Sequence, residues 1–170
     1  MCASLPTSER KSSFPPVVGP DTRVLILGSL PGERSLAEQR YYAHPQNRFW
    51  HLIGKVIEVN LAPLAYEERL AALLRAKVGL WDTVASAVRP GSLDAAIRDE
   101  RHNELATLTA SLPDLRAVAF NGAKSASIGS RLLAGSELAL VPLPSSSPTN
   151  ASIPLAVKEK LWGALREFLQ

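Results

Sequence analysis

With 170 residues, 46% hydrophobic and 21% charged, the chain has the length and composition of one soluble globular domain able to bury a single core. No apolar run reaches the roughly 18 residues of a membrane helix. The single cysteine, Cys2, excludes disulfides and cysteine-ligated zinc or iron–sulfur clusters, while a net charge of +3 permits nucleic-acid binding without demanding it.

Met1 to Pro20 hold Pro6, Pro15, Pro16 and Pro20 and no apolar stretch of secretory type. This segment is expected to be a flexible leader, residues 21–170 a single domain, and the setting reducing and cytoplasmic. Thr22–Leu27 (TRVLIL), closed by Gly28, reads as a buried strand. Ser35-Leu-Ala-Glu38 has capping-box spacing and predicts a short helix beginning there. Phe49, Leu52, Ile53, Val56 and Ile57 recur at helical spacing, and Leu64–Ala76 predicts a second helix. Val78–Trp81 is a short strand ended by Asp82-Thr83. Asn103 is placed to cap a helix that Pro113 would end. Leu115–Phe120 is a strand, followed by Asn121-Gly122 and a helix through Leu133; Leu138–Val141 is another strand. Ile153–Gln170 predicts an amphipathic helix with Val157, Leu161, Leu165 and Leu169 on its apolar face.

Strands alternating with helices imply a mainly parallel sheet covered on both faces. Ligands in such folds bind beyond the carboxyl ends of the strands. Gly28–Gly32, Asp82-Thr83, Asn121-Gly122 and Pro144–Pro148 each follow a strand, so they should converge on one cleft.

The Gly28-Ser-Leu-Pro-Gly32 turn lets backbone approach a ligand, although a purely structural turn fits equally. It lacks the spacing of a Walker loop or dinucleotide fingerprint. Tyr41-Tyr-Ala-His-Pro-Gln-Asn-Arg-Phe-Trp50 gathers two tyrosines, a histidine, an amide and an arginine before a helix. Tyr42 could stack on a base or merely pack, and Asn47 stands where a helix N-cap is wanted. His44, His51 and His102 have no metal-ligand spacing, and His44 reads as a hydrogen-bonded turn histidine. The serines of Pro144–Pro148 lack a nucleophile elbow; short hydroxyls between prolines suit donation to DNA phosphates, and a plain polar turn is the alternative. Arg34, Arg40, Arg48 and Lys124 could line the same rim.

Two segments together carry a resemblance. Gly28–Gly32, Ser35 and Tyr41–Trp50 resemble the first motif region of the uracil-DNA glycosylase superfamily, and Pro144–Asn150 resembles its second. Gly79–Val84 with Gly91–Asp94, and Phe120–Gly122, resemble the hypoxanthine-DNA glycosylase branch, so the likeness runs from about Thr22 to the C-terminus.

The resemblance implies a three-layer α/β/α sandwich around a central, mainly parallel four-stranded sheet. It implies hydrolysis of the bond between a damaged base and deoxyribose, with damaged DNA as partner, the lesion flipped into a pocket, no metal or cofactor, and a monomer. Relatives that excise uracil carry Asp or Asn in the first loop, where Leu30 stands here, and His or Asn where Ser145 stands. The hypoxanthine branch is similar to this chain in both respects, and its catalytic asparagine corresponds to Asn47. Tyr42 takes the base-stacking position. Gly28, Ser29, Leu30, Pro31, Gly32 and Asn121 are expected at the base, with backbone of Ser29 and Leu30 at its edge. Ser145, Ser146, Ser147, Pro148 and Thr149 are expected on DNA, Ser147 at a phosphate and Thr149 near the residue that fills the vacated stack. No lysine nucleophile is implied, so the product is an abasic site in an intact strand. Hypoxanthine is the expected substrate, ahead of xanthine and uracil. A uracil or mismatch glycosylase, a DNA-binding module without chemistry and a nucleoside hydrolase are the competing readings.

Overall fold

The structure, a computed structural model, describes residues 9–149 and 152–170. In chain order its strands are β1 (Arg10–Ser12), β2 (Val24–Gly28), β3 (Val78–Asp82), β4 (Val84–Val88), β5 (Arg98–His102), β6 (Ala117–Asn121) and β7 (Ala139–Leu143). Its α-helices are α1 (Glu33–Glu38), α2 (Phe49–Ile57), α3 (Tyr66–Arg75), α4 (Leu105–Ala110), α5 (Ala123–Leu132) and α6 (Leu155–Gly163), the last continued by a 3₁₀ turn over Ala164–Phe168.

β3, β2, β6 and β7 form, in that order, a wholly parallel four-stranded sheet, as expected. Successive side chains of a strand point to opposite faces. Val24 and Ile26 accordingly pack with Phe49, Leu52, Ile53 and Leu73 of α2 and α3 and with Trp162 of α6. Leu25 and Leu27, one residue out of phase, join Val118 and Phe120 against Leu105 and Leu133 on the other face. Helices therefore cover both faces, which gives the three-layer sandwich. Pro142 cannot donate to a ladder and sits in β7, an edge strand, where the missing N–H costs least.

Several expectations change. β1, β4 and β5 form a separate antiparallel sheet in that order, with no signal in the residue pattern. Residues 9–20, expected as part of a flexible leader, are tied down: β1 pairs with β4, the Trp81 indole donates to the Phe14 carbonyl at 3.0 Å, and the Tyr41 hydroxyl donates to the Pro15 carbonyl at 3.0 Å. Met1–Ser8 lie outside the described residues. Ser35 does not cap a helix; it lies inside α1, and its hydroxyl accepts the Ala43 N–H at 3.0 Å. Asn103 does not cap α4 with its side chain, because that amide donates to the Asp82 carbonyl at 2.8 Å. The expected apolar face of the C-terminal helix holds only in part: Leu165 is buried and Leu169 packs against the core, but within α6 Lys158 and Trp162 turn inward and Val157 and Leu161 are exposed. Among the described residues no helix is long and apolar enough to cross a membrane.

Candidate active site

The turn after β2 is held from below. The Gly28 and Ser29 carbonyls accept N–H groups of Thr83 (2.8 Å) and Val84 (2.9 Å). The Arg89 guanidinium, 1% exposed, donates to the Leu30 and Pro31 carbonyls at 3.3 and 2.7 Å. The Leu30 side chain packs with Val84, Ala87, Ile97 and Ile128, so this residue anchors the loop and offers no polar group to a ligand. The Ser29 hydroxyl donates to Asp94 Oδ1 at 2.6 Å.

Asp82, at the carboxyl end of β3, reaches under the same turn. A Cβ at position 28 would lie 2.6 Å from Asp82 Oδ1 and 3.2 Å from the Tyr42 hydroxyl, so only glycine lets these three groups meet. Asp82 is 3% exposed, and its Oδ2 has no hydrogen-bond partner among the described residues. Burial, with the nearby charge of Asp94, pushes the Asp82 carboxyl up to about 7 against an opposing pull from Arg89. Burial, with Asp82 beside it, also holds the Tyr42 phenol well above its usual range.

Tyr42 has a left-handed backbone (φ 53°), fixed by the Trp50 indole donating to its carbonyl at 3.1 Å. Its ring stacks on Phe49, with centroids 3.8 Å apart and planes 16° from parallel, so one face is already covered from the core side. Asn47 sits one residue ahead of the cap position of α2, and its Oδ1 accepts the Phe49 N–H at 2.9 Å. Asn47 is thus not the N-cap residue itself, which is Arg48, but from the preceding position it satisfies the first N–H of α2, and the bond fixes which way its amide points.

The serine loop is tied to the end of β6 by Asn121, which donates through Nδ2 to Ser146 Oγ and accepts the Ser146 N–H at Oδ1, both at 2.9 Å. Ser146, expected on DNA, is only 1% exposed; it anchors the loop from inside. Ser145 Oγ accepts the Ser147 N–H at 3.1 Å, and the hydroxyls of Ser147 and Thr149 are 2.8 Å apart. Gly122 has φ 103° and lies close under Ser145, which lets the loop approach the start of α5. Asn150 lies outside the described residues.

These pieces line one cleft of about 920 Å³. It gathers Gly28, Ser29, Leu30, Pro31 and Gly32 on one wall and Ser145, Ser146, Ser147, Pro148 and Thr149 on another, with Tyr42, Asn47 and Asn121 between them. Asp82 and Asp94 also line it, and they and Arg89 are the groups given no role from sequence. Asp82 was legible as an acid at the carboxyl end of a parallel strand and Asp94 only as the last residue of the Gly91–Asp94 stretch, while Arg89 carried no signal.

The proposed basic rim is divided. Arg34 pairs with Glu38 at 3.0 Å, Lys124 with Glu100 at 3.1 Å, and Arg40 lies over the Tyr66 ring at 5.4 Å. Arg48 instead opens on a second cavity of about 410 Å³ that shares Ser147 and Pro148 with the main cleft and also contains Lys158. His44 accepts the Gln46 N–H at Nδ1 (3.1 Å), a turn role as expected, and His51 and His102 face Glu159 and Glu100. Among the described residues no cluster of three potential metal ligands occurs.

Comparison with known proteins identifies the frame. Residues 15–166 match the model of the uracil DNA glycosylase superfamily. A protein of Methanosarcina barkeri named hypoxanthine DNA glycosylase is 46% identical over 116 residues, 68% of this chain and 73% of its own. One of the same name from Methanosarcina acetivorans is 42% identical over 140 residues, 82% of this chain and 88% of its own. The solution structure of a Methanosarcina acetivorans protein, described as a candidate uracil DNA glycosylase, superimposes with TM-score 0.85 at 37% identity, covering 95% of this chain and 100% of the other. The chain therefore belongs to the uracil DNA glycosylase superfamily.

Proposed function

We propose that this protein is a monofunctional DNA glycosylase that hydrolyses the N-glycosidic bond of a flipped-out deaminated base, hypoxanthine above all, and leaves an abasic site. The observation that carries the reading is the joining of Gly28–Gly32, Tyr42, Asn47 and the serine loop in one cleft of about 920 Å³. Relatives 42–46% identical and named hypoxanthine DNA glycosylases support the choice of base.

The chemistry follows from what such a cleft must do. A base inside the stack is out of reach, so it must be extruded and held by its edge and its face. Cleavage builds positive charge on the sugar and negative charge on the departing base, and fixed polar groups beside both favour the transition state over the ground state. Asn47 keeps Oδ1 on the Phe49 N–H, so its amide is rigidly oriented and Nδ2 remains to hold the nucleotide or the attacking water. Leu30 supplies no group for that water, which concentrates the task on Asn47. Ser145, Ser147 and Thr149 present hydroxyls on a loop braced by Asn121, suited to phosphates on either side of the lesion. Lys124, which lines the cleft, is paired with Glu100, so it is not poised as an amine nucleophile and the strand stays intact.

The test uses end-labelled duplexes carrying one inosine, one xanthosine or one uracil, incubated with chelator and then treated with alkali. Alkali-dependent cleavage at inosine is expected. Cleavage at uracil alone would reassign the base, and none at any lesion would overturn the reading.

A further inference from the structure

The mechanism above leaves one buried ionisable group in the cleft without a task. Asp82 lines the cleft from the end of β3 and is 3% exposed; its Oδ1 lies beneath Gly28 of the cleft-lining turn, and its Oδ2 is buried without a hydrogen-bond partner among the described residues. A buried charge in that position would be strongly disfavoured, and a buried carboxyl left unpaired is costly unless it serves a purpose. The lack of a Cβ at position 28 lets Asp82 Oδ1 lie against the start of the turn that lines the cleft, an approach any other residue there would block.

We propose that Asp82 is the general acid of the reaction, giving its proton to a ring nitrogen of the departing purine, N7 of hypoxanthine. This rests on the glycosylase reading. In the step, the C1′–N9 bond breaks and its electron pair passes to the base, while the Asp82 O–H bond breaks and its proton forms the N7–H bond. Water adds its oxygen to C1′ and releases a proton to solvent, and Asp82 takes up a proton from solvent before the next turnover. The base leaves neutral, which removes the negative charge that would otherwise develop in a site already holding Asp94.

The surroundings keep the acid charged with its proton. The groups facing Asp82 are Asp94 and Arg89 on the β4–β5 side and the hydroxyls of Tyr41 and Tyr42 on the loop before α2. Burial and Asp94 outweigh Arg89, holding the carboxyl up to about 7, where a general acid is half protonated at neutral pH and therefore near its best. Ser29 and Arg89 hold Asp94 and the turn in place.

The experiment is single-turnover excision from inosine duplex at saturating enzyme between pH 5 and 9, for the wild type and Asp82→Asn, together with wild type on 7-deaza-deoxyinosine duplex. The wild-type rate should fall tenfold per pH unit above about 7, and Asp82→Asn should be slower by about 10²–10⁴-fold with that limb gone. The 7-deaza duplex should bind as tightly as inosine duplex and resist excision, a result that does not depend on the variant folding. Asp82→Asn within threefold of wild type, an unchanged limb in the variant, or ready excision of the 7-deaza base would each overturn the assignment while leaving the glycosylase intact. Wild type that releases no hypoxanthine at any pH would overturn the glycosylase reading itself.

Discussion

Asn121 grips Ser146 with both ends of its amide, donating to the hydroxyl and accepting the backbone N–H, each at 2.9 Å. The pair joins the carboxyl end of β6 to the serine loop, so one wall of the cleft is held in place by a residue on the strand beside it. Asn121→Ala removes both bonds and leaves buried Ser146 polar groups unpaired, which should cost about 1–3 kcal/mol. Asn121→Asp, which can still accept from both Ser146 groups, should recover most of the stability. Thermal melting and DNA affinity of the two variants check this; equal losses in both would show that the amide acts on the ligand instead of the loop.

Asn47 is expected to do two separable things. Asn47→Ala removes the bond to the Phe49 N–H, costing about 1 kcal/mol as caps do, and also removes the amide donor. Asn47→Asp keeps the cap and loses only the donor. Both variants should lose excision by about 10²–10³-fold, the usual effect of deleting one preorganised polar group, while only the alanine variant melts lower. Activity that tracks stability would reduce Asn47 to a cap.

Lys158 is 5% exposed and has no acidic partner among the described residues; burial, and then Arg48 beside it, lower its ammonium below the usual range. A lowered lysine disfavours the folded state when charged, so Lys158→Met should raise stability by about 0.5–2 kcal/mol, the common size of such gains. If Lys158 and Arg48 meet a DNA phosphate, the same change should weaken binding and flatten the salt slope by about 0.9. Titration of duplex affinity against salt for wild type and variant decides it, and an unchanged slope removes Lys158 from the DNA surface.

Asp82 should write itself into the pH dependence of stability. Its folded value is raised to about 7 from an ordinary 3.8, so the folded state binds the proton more tightly than the unfolded chain does. The resulting stability is full below about pH 4 and is lost as pH rises through about 7, at up to about 1.4 kcal/mol per unit across that window. Asp82→Asn should therefore be the more stable protein at pH 8 and lose its advantage near pH 4. Urea unfolding at the two values measures the difference, and a constant gap between the proteins would rule out an Asp82 carboxyl held protonated by the fold.

Much of this architecture was legible because its causes are local. The runs VLIL and AVAF are apolar at every position and are buried on both faces, as a central parallel strand must be. Phe49, Leu52, Ile53 and Val56 recur at the helical period and face the core. The loops that line the cleft could be ordered because each follows a strand of one parallel sheet. The three-stranded antiparallel sheet was not legible: RKS, VASAV and RDERH have no alternating apolar face, and Arg10 pairs with Val88 far along the chain. The inward face of the C-terminal helix was read only in part, with Leu165 in the core and Leu169 packed against it as expected, for a related reason. Its apolar residues divide between faces, and the packing of Trp162 with Phe49 sets the rotation, leaving Val157 and Leu161 outside.

By itself the sequence determined the parallel strands of the central sheet, the residues that crowd the cleft and the family to which they belong, because periodicity and motif spacing are written within a few dozen contiguous residues. Tertiary structure alone decided that Asp82 lies buried beside Asp94, that Arg89 clamps the Gly28–Gly32 turn and that Ser146 is an anchor instead of a contact. Burial, a neighbour's charge and a shared hydrogen bond depend on residues that only the folded chain brings together, and these set what an ionisable group does.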